Sequence, residues 1–446
     1  METPICDFIR DYVINAPLRL HMPGHKGKSH LGFEDLDITE VQGADSLYHA
    51  SGIIKESEAN ATSLFGTAGT FYSTEGSSHC IRAMIHLLKL WKGDGYVLAG
   101  RNAHSSFISA LALNNVDVGW LYPHGESSYL SAVVTPEVLE KTLRSVDKKP
   151  ICVYVTSPDY LGNMCDISTL AQVCERYGTI LAVDNAHGAY LKFLKDDLHP
   201  ISQGAHICCD SAHKTLPALT GGAYLHVSKK APAFFLENAK NALAIFGSTS
   251  PSYLTLSSLD KLNEYLADGY KQSLDSFLKE LSTLCEKSTL VRLASVANNT
   301  LREPMKIALE TRKVGYRGGD FAEILESQGV ICEFYDEDYV VLMPSPDNSK
   351  KELKALFSVL NKIPIKSPLQ ATSQALCRPR RKMSPKEAAF APRELVPIDN
   401  ALGRILAVSC VSCPPAVSLI VSGEEFDKAT IDLCKKFGFE SFWVVK

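Results

Sequence analysis

Three groups able to do covalent or proton chemistry stand at the ends of apolar, strand-like runs. Lys214 lies in SAHKTLPALTGGAYLHV (211–227), between HICC and GGAYLHV, both of which read as core strands. A lysine placed there needs a partner or must give up its charge. Asp184 ends the run TILAVD, and Gly76-Ser77-Ser78 opens the amphipathic stretch GSSHCIRAMIHLLKLW. A helix start offers unpaired N–H groups and a partial positive charge, and two hydroxyls add donors, so this turn suits an anion such as a phosphate. Singly, each feature has an ordinary explanation: serine at a helix start is most often a cap, and a lysine or aspartate can be half of an ion pair. Together, a carboxylate, a lysine and a phosphate cradle in one crevice match what pyridoxal phosphate demands. The lysine holds the aldehyde as a Schiff base, the aspartate keeps the ring nitrogen protonated, and the phosphate is anchored away from the chemistry.

The elements that must bring these groups together are legible as an alternation. GTFYST (69–74), YVLAG (96–100), ICVYVTSP (151–158), TILAVDNA (179–186), HICCDSA (206–212) and GAYLHV (222–227) are mostly continuous apolar runs, as in a sheet covered on both faces. Between two of them STLAQVCERYG predicts a helix with Ser168 as N-cap and Gly178 past its C-terminus. Strands alternating with helices predict an α/β fold, a doubly wound, mainly parallel sheet that gathers ligands at the carboxyl ends of its strands. Four segments follow: an N-terminal arm (1–60), a large ligand-binding domain (61–250), a long helical region with a smaller α+β domain (251–360), and a linker with a C-terminal domain (361–446). The helical region is read as roughly 251–285, and the small domain as MKIALE, VICEFY and YVVLMP with the helix GDFAEILESQG.

Composition narrows the classes. The 446 residues are 45% hydrophobic and 22% charged with a net charge of −4, which gives no support to nucleic-acid binding. RPRRK (378–382) is the one basic run and is read as a solvated linker. Thirteen cysteines scattered through apolar segments read as small core residues in a reducing compartment, and no uninterrupted apolar stretch of membrane-spanning length occurs, so a cytoplasmic location with no membrane partner is expected. Cys410 and Cys413 have CxxC spacing without the second ligand pair that zinc wants. His21 and His25 of HMPGHKG read as part of a turn, so no metal is expected. No G-x-G-x-x-G follows a strand, which removes a dinucleotide site.

ITEVQGADSLYHASGIIKESE, GRNAHSS, VDNAHGAY and SAHK, in this order, resemble the Orn/Lys/Arg decarboxylase family of fold type I pyridoxal-phosphate enzymes, and HMPGHKG and KMSPKEAAFAPRELVPIDNALGRI extend the match over nearly the whole chain. The resemblance implies that Lys214 forms the Schiff base and Asp184 pairs with the pyridine nitrogen. His104 would stack on one ring face and Ala186 pack on the other, while Ser77, Ser78, Ser211 and His213 hold the phosphate. His187 would lie near the ring hydroxyl or the substrate. Desolvation beside a cationic His213 would favour the neutral form of Lys214 that attack requires. The implied reaction is decarboxylation of arginine, lysine or ornithine to an amine and CO2. The chain resembles the shorter biosynthetic type, without a receiver-like N-terminal domain, and a homodimer or higher even homo-oligomer is implied.

The C-terminal region departs from the family pattern. Val408 stands where an acid is usual, Cys413 where a tyrosine is, Ala416 where a glycine is and Ser418 where a proline is, whereas Glu424 is kept. A basic substrate needs a buried acid for its distal cation, since an unpaired buried charge costs several kcal/mol. Asp45, Glu75, Glu333 and Glu424 are the candidates, with Glu333 and Glu424 preferred. Two other functions stay open: a transaminase or β-lyase on the same cofactor, with Arg312 or Arg317 fixing the substrate carboxylate, and a non-catalytic homologue.

Overall fold

The computed structural model describes residues 1–123, 128–296, 301–370, 376–409 and 415–446. Along the chain come β1 (Gly69–Ser73), β2 (Tyr96–Gly100), β3 (Asp117–Leu121), β4 (Cys152–Thr156), β5 (Asn163–Met164), β6 (Ile180–Asp184), β7 (Ile207–Asp210) and β8 (Ala223–Val227). All but β5 join one seven-stranded sheet in the order β1-β8-β7-β6-β4-β2-β3. Every residue of β6, β7 and β8 is buried, as their unbroken apolar runs require in a sheet covered on both faces. β6 runs parallel to β7 and β2 to β3, while β8 is antiparallel to both β1 and β7. The fold is therefore the mainly parallel α/β architecture expected.

Contacts divide the chain into two units, the first made of Met1–Asp94, Ile151–Val153 and Ile167–Gln272. In it the helix Gly76–Lys92 buries Cys80, Ile81, Met84, Ile85, Leu87 and Leu88 along one stripe, the helical spacing seen in the sequence. Register places Asp184 opposite Cys209 and Asp210 opposite Tyr224. The ends of β6 and β7, the loop into β8 and the turn after β1 therefore meet at one rim. The helix Pro4–Ile14 docks through Asp260, whose Oδ2 accepts from the Ile5 and Cys6 amides at 2.9 and 3.0 Å.

The second unit comprises Gly95–Pro150, Tyr154–Asp166 and Ser273–Lys446. β9 (Leu301–Arg302) pairs with β5; β10 (Ile307–Glu310), β11 (Phe334–Tyr335) and β12 (Tyr339–Leu342) form an antiparallel sheet in the order β10-β12-β11; β13 (Arg393–Pro397) pairs with β14 (Ser441–Val445). Tyr129, Phe334, Val341, Leu406, Phe426 and Phe442 share one core cluster there.

Four local readings change. The helix expected to start at a Ser168 cap spans Ile167–Arg176, so Ser168 sits inside its first turn. The helical region after residue 250 is two helices, Tyr253–Ala267 and Tyr270–Lys287, broken where Gly269 takes φ +79°. RPRRK keeps its basic residues exposed, as read, but is anchored rather than a free linker: Arg381 pairs with Asp117 and donates to the Val118 carbonyl at 2.8 Å, and Arg378 lies 4.5 Å over the Tyr122 ring. Last, HICCDSA is not all strand, because its final residues turn into the one-turn helix Ala212–Thr215.

Candidate active site

The rim of the first unit carries most of the residues singled out above. Ser211 has extended backbone, and Ala212–Thr215 then makes a single helical turn, with the Lys214 amide donating to the Ser211 carbonyl at 3.1 Å. This turn lifts Lys214 off the end of β7 and leaves it half-buried. Its Nζ shares a hydrogen bond of 3.1 Å with Nε2 of the buried His187. The imidazole at the lysine is thus His187, not His213. His213 points to the Gly222 carbonyl at 3.0 Å, and burial first, with nearby Lys214 adding to it, lowers its pKa and favours the neutral ring against the pull of that carbonyl. A cationic His213 does not fit this arrangement.

Asp184 is 2% exposed, and its Oδ1 accepts from the Ala186 amide at 3.2 Å. The Cys209 thiol, its register partner, lies 3.8 Å from the same oxygen. Ala186 and His187 follow directly, so acid and imidazole come from one strand end.

The anion cradle is built by two turns laid against each other. Gly76 takes φ +72° and its amide donates to the Gly221 carbonyl at 2.8 Å. A Cβ on Gly221 would meet the Thr74 carbonyl oxygen at 2.5 Å, so only glycine lets the two turns touch. The helix Gly76–Lys92 starts after Glu75, whose side chain makes no cap bond, so Ser77 and Ser78 occupy the first turn rather than the capping position. Their amides have no carbonyl a turn before them in the helix. Ser211 Oγ donates to Ser77 Oγ at 2.8 Å, both residues being buried. A Cβ on Gly76 would meet nothing within 4 Å, leaving open space over the turn. Two hydroxyls, first-turn amides and open space fit a phosphate, while a buried carboxylate and a lysine at the same rim fit an aldehyde-bearing pyridine.

His104 belongs to the second unit. It is the N-cap of the helix Ser105–Asn114, where Nδ1 accepts from the Ser106 amide at 3.1 Å and lies 2.7 Å from Ser106 Oγ, so the ring is oriented by its own helix. The segment after it is stitched to the C-terminal region: the Ser105 amide donates to the Ala416 carbonyl at 2.8 Å, and His104 bridges Val417.

The four candidate substrate acids fall into different surroundings. Asp45 accepts from the amides of Ser46, Ser51, Gly52 and Ile54 at the start of the helix Ile53–Phe65. Glu424 is 1% exposed and pairs at 3.2 Å with Arg101, equally buried, whose Nη atoms also donate to the Ser418 and Leu419 carbonyls and whose guanidinium lies 5.0 Å over Trp120. Burial raises the Glu424 pKa and Arg101 works against the rise. Asp45 is committed to holding the fold through both oxygens, whereas Glu424 is committed through Oε2, which also accepts from the Val421 amide at 2.9 Å, and its buried Oε1 has no hydrogen-bond partner among the described residues. Glu75 accepts from the Ser248 amide at 2.6 Å, and Glu333 accepts from Tyr160 Oη at 2.6 Å; among the described residues only one oxygen of each is bonded this way.

Arg312, a candidate clamp for a transaminase substrate, is already held by Glu337 at 2.9 Å, by Asp338 and by the Gln370 carbonyl, while Arg317 is exposed at the start of the helix Gly318–Ser327. Cys410 and Cys413 lie outside the described residues. The His199, Asp210 and His226 group beneath the rim was missed by sequence reading, as was the Arg101–Glu424 pair. These partners are far apart along the chain, with no motif spacing to mark them.

The chain belongs to the Orn/Lys/Arg decarboxylase family: the model of the family's major domain matches residues 3–290 and that of its C-terminal domain residues 369–439. Among its relatives is the arginine decarboxylase of Bacillus subtilis, 25% identical over 95% of this chain and 91% of that one. The Francisella novicida lysine decarboxylase LdcF superposes with a TM-score of 0.79 at 17% identity, over 100% of this chain and 81% of that one. A structure of SPT with PLP gives a TM-score of 0.54 at 13% identity, over 71% of this chain and 79% of that one.

Proposed function

We propose that the protein is a pyridoxal-phosphate-dependent carboxy-lyase that converts a basic amino acid, arginine, lysine or ornithine, into its amine and CO2. The observation that carries this reading is the Lys214–His187 contact of 3.1 Å on the rim that also holds Asp184 and the Ser77–Ser211 pair, in a chain of this family. Pyridoxal phosphate, when bound, supplies an aldehyde for an amine and a cationic ring that withdraws electrons. Ser77, Ser78, Ser211 and His213 hold the phosphate. Asp184, dry and acceptor-only as a carboxylate, keeps a proton on the ring nitrogen, and Ala186 gives the ring a flat apolar wall.

In the reaction the bond from Cα to the carboxyl carbon breaks, CO2 departs, and one proton is delivered to Cα. Lys214 Nζ and His187 Nε2 share a hydrogen bond, so a proton removed from the amine can be held on the imidazole and returned through Nζ. Of the four candidate acids, Glu75, Glu333 and Glu424 each keep one carboxylate oxygen outside the hydrogen bonds named above.

A homodimer or higher even homo-oligomer is part of this reading. Leu18, Leu20 and Leu31 in the N-terminal arm are 83%, 83% and 78% exposed, and Ile14 and Met22 beside them are also open. Apolar surface of this kind in one segment marks an interaction face. A cytoplasmic setting is supported by the free thiols of all described cysteines, and no described helix is long and apolar enough to cross a membrane. The test is a panel of arginine, lysine and ornithine incubated with the cofactor-loaded protein, scored for CO2 and amine. Release of both from one of the three is expected. Keto acid without CO2 would point to transamination, and no turnover of any would reject the reading.

A further inference from the structure

Directly beneath the rim, Asp210 ends β7 one residue before Ser211 and is fully buried. Its Oδ2 accepts from His199 Nε2 at 3.0 Å and from His226 Nε2 at 3.1 Å, and its Oδ1 accepts from Asn185 Nδ2 at 2.7 Å. The carboxylate can only accept at the two Nε2 atoms, which sets the tautomers, and the outer nitrogens have partners compatible with them. His199 Nδ1 faces the Ile201 amide, a donor, and His226 Nδ1 faces Thr70 Oγ1 at 2.9 Å, which is in turn 2.8 Å from Thr67 Oγ1. Both rings therefore present N–H to the carboxylate. Burial opposes the charge on Asp210, but the two histidines outweigh it and hold its pKa well below the usual carboxylate range. Cys208 lies in the same cluster, yet burial pushes its thiol far up, and the three donors already occupy the carboxylate, so the group acts as a clamp and not as a cation cage.

What is clamped is Asn185, the residue between Asp184 and Ala186. Its amide donates to the Cys209 carbonyl at 2.9 Å and its carbonyl accepts from the Gly188 amide at 2.8 Å, so backbone and side chain are both fixed to β7. Asp184 precedes this residue directly, and Lys214 follows Asp210 by one turn. We propose that Asp210, braced by His199 and His226 and gripping Asn185, is a positioning residue that sets the spacing between the Asp184 carboxylate and the Lys214 amine, so that both ends of one rigid pyridine ring are met at once. This rests on the cofactor assignment above.

The test titrates pyridoxal phosphate into the apo protein, reading the visible absorbance of the bound cofactor, with the apo melting temperature measured in parallel. Asn185→Ala cuts only the arm, and Asp210→Ala removes the centre. Asp210→Asn keeps the shape, since the Asn185 amide can rotate to offer its oxygen. At least a tenfold rise in dissociation constant is expected for Asn185→Ala and Asp210→Ala, with Asp210→Asn within about threefold of wild type. A purely structural role would lower the melting temperature of Asn185→Ala and leave its cofactor affinity and absorbance maximum unchanged, which would overturn the proposal even if Asp210→Ala failed to fold. Wild-type protein that binds no cofactor would instead reject the functional reading on which it rests.

Discussion

Lys214 and Asp184 carry the account at the scale of single residues, and a lysine attacks a carbonyl only through a free lone pair. Lys214→Ala should abolish borohydride-fixable attachment of the cofactor and cut CO2 release on the order of a thousandfold or more, with the fold intact by circular dichroism. Ala416 gives a second residue-level prediction. It stands where the family has glycine and takes φ +54° while buried, a left-handed conformation that costs an L-residue about 1 kcal/mol. Ala416→Gly should raise stability by roughly that amount in denaturant titration.

Between elements, the buried Arg101–Glu424 pair joins the end of β2 to the segment that holds the residues after His104. Arg101→Met would strand a buried carboxylate and should cost about 3–5 kcal/mol, whereas Arg101→Met with Glu424→Leu should recover more than half of that in equilibrium unfolding. The sequence already showed which strands end in the chemistry-bearing residues, because the fully buried β6 and β7 leave apolar runs that lead into Asp184 and Asp210, although the strand β7 stops two residues before the end read for HICCDSA. It could not show that Asp210 collects His199 and His226, since those contacts are made only when β8 lies antiparallel on β7 and the loop before β7 folds back. Nor could it separate Glu424 from Glu333 as a substrate acid: both are carboxylates in apolar company, and only the fold reveals that one already has a guanidinium.

For the molecule as a whole, burial lowers the pKa of His79, His206, His213 and His226, each of which folds as the neutral ring. The unfolded chain then binds more protons below about pH 6.5, so their contribution is complete above that value and is lost as pH falls through the folded values. His206→Asn offers a clean check, because an amide oxygen can replace Nδ1 as acceptor for the Leu181 amide at 3.1 Å but cannot titrate. The drop in melting temperature between pH 7 and 5.5 should be shallower in this variant. Sedimentation should find an even oligomer, with charges at Leu18 and Leu20 shifting it toward monomer. The most direct measurement is borohydride reduction of the protein with pyridoxal phosphate, followed by peptide mass mapping. The pyridoxyl group should be found on Lys214; a protein labelled at another lysine, or not labelled at all, would contradict the account.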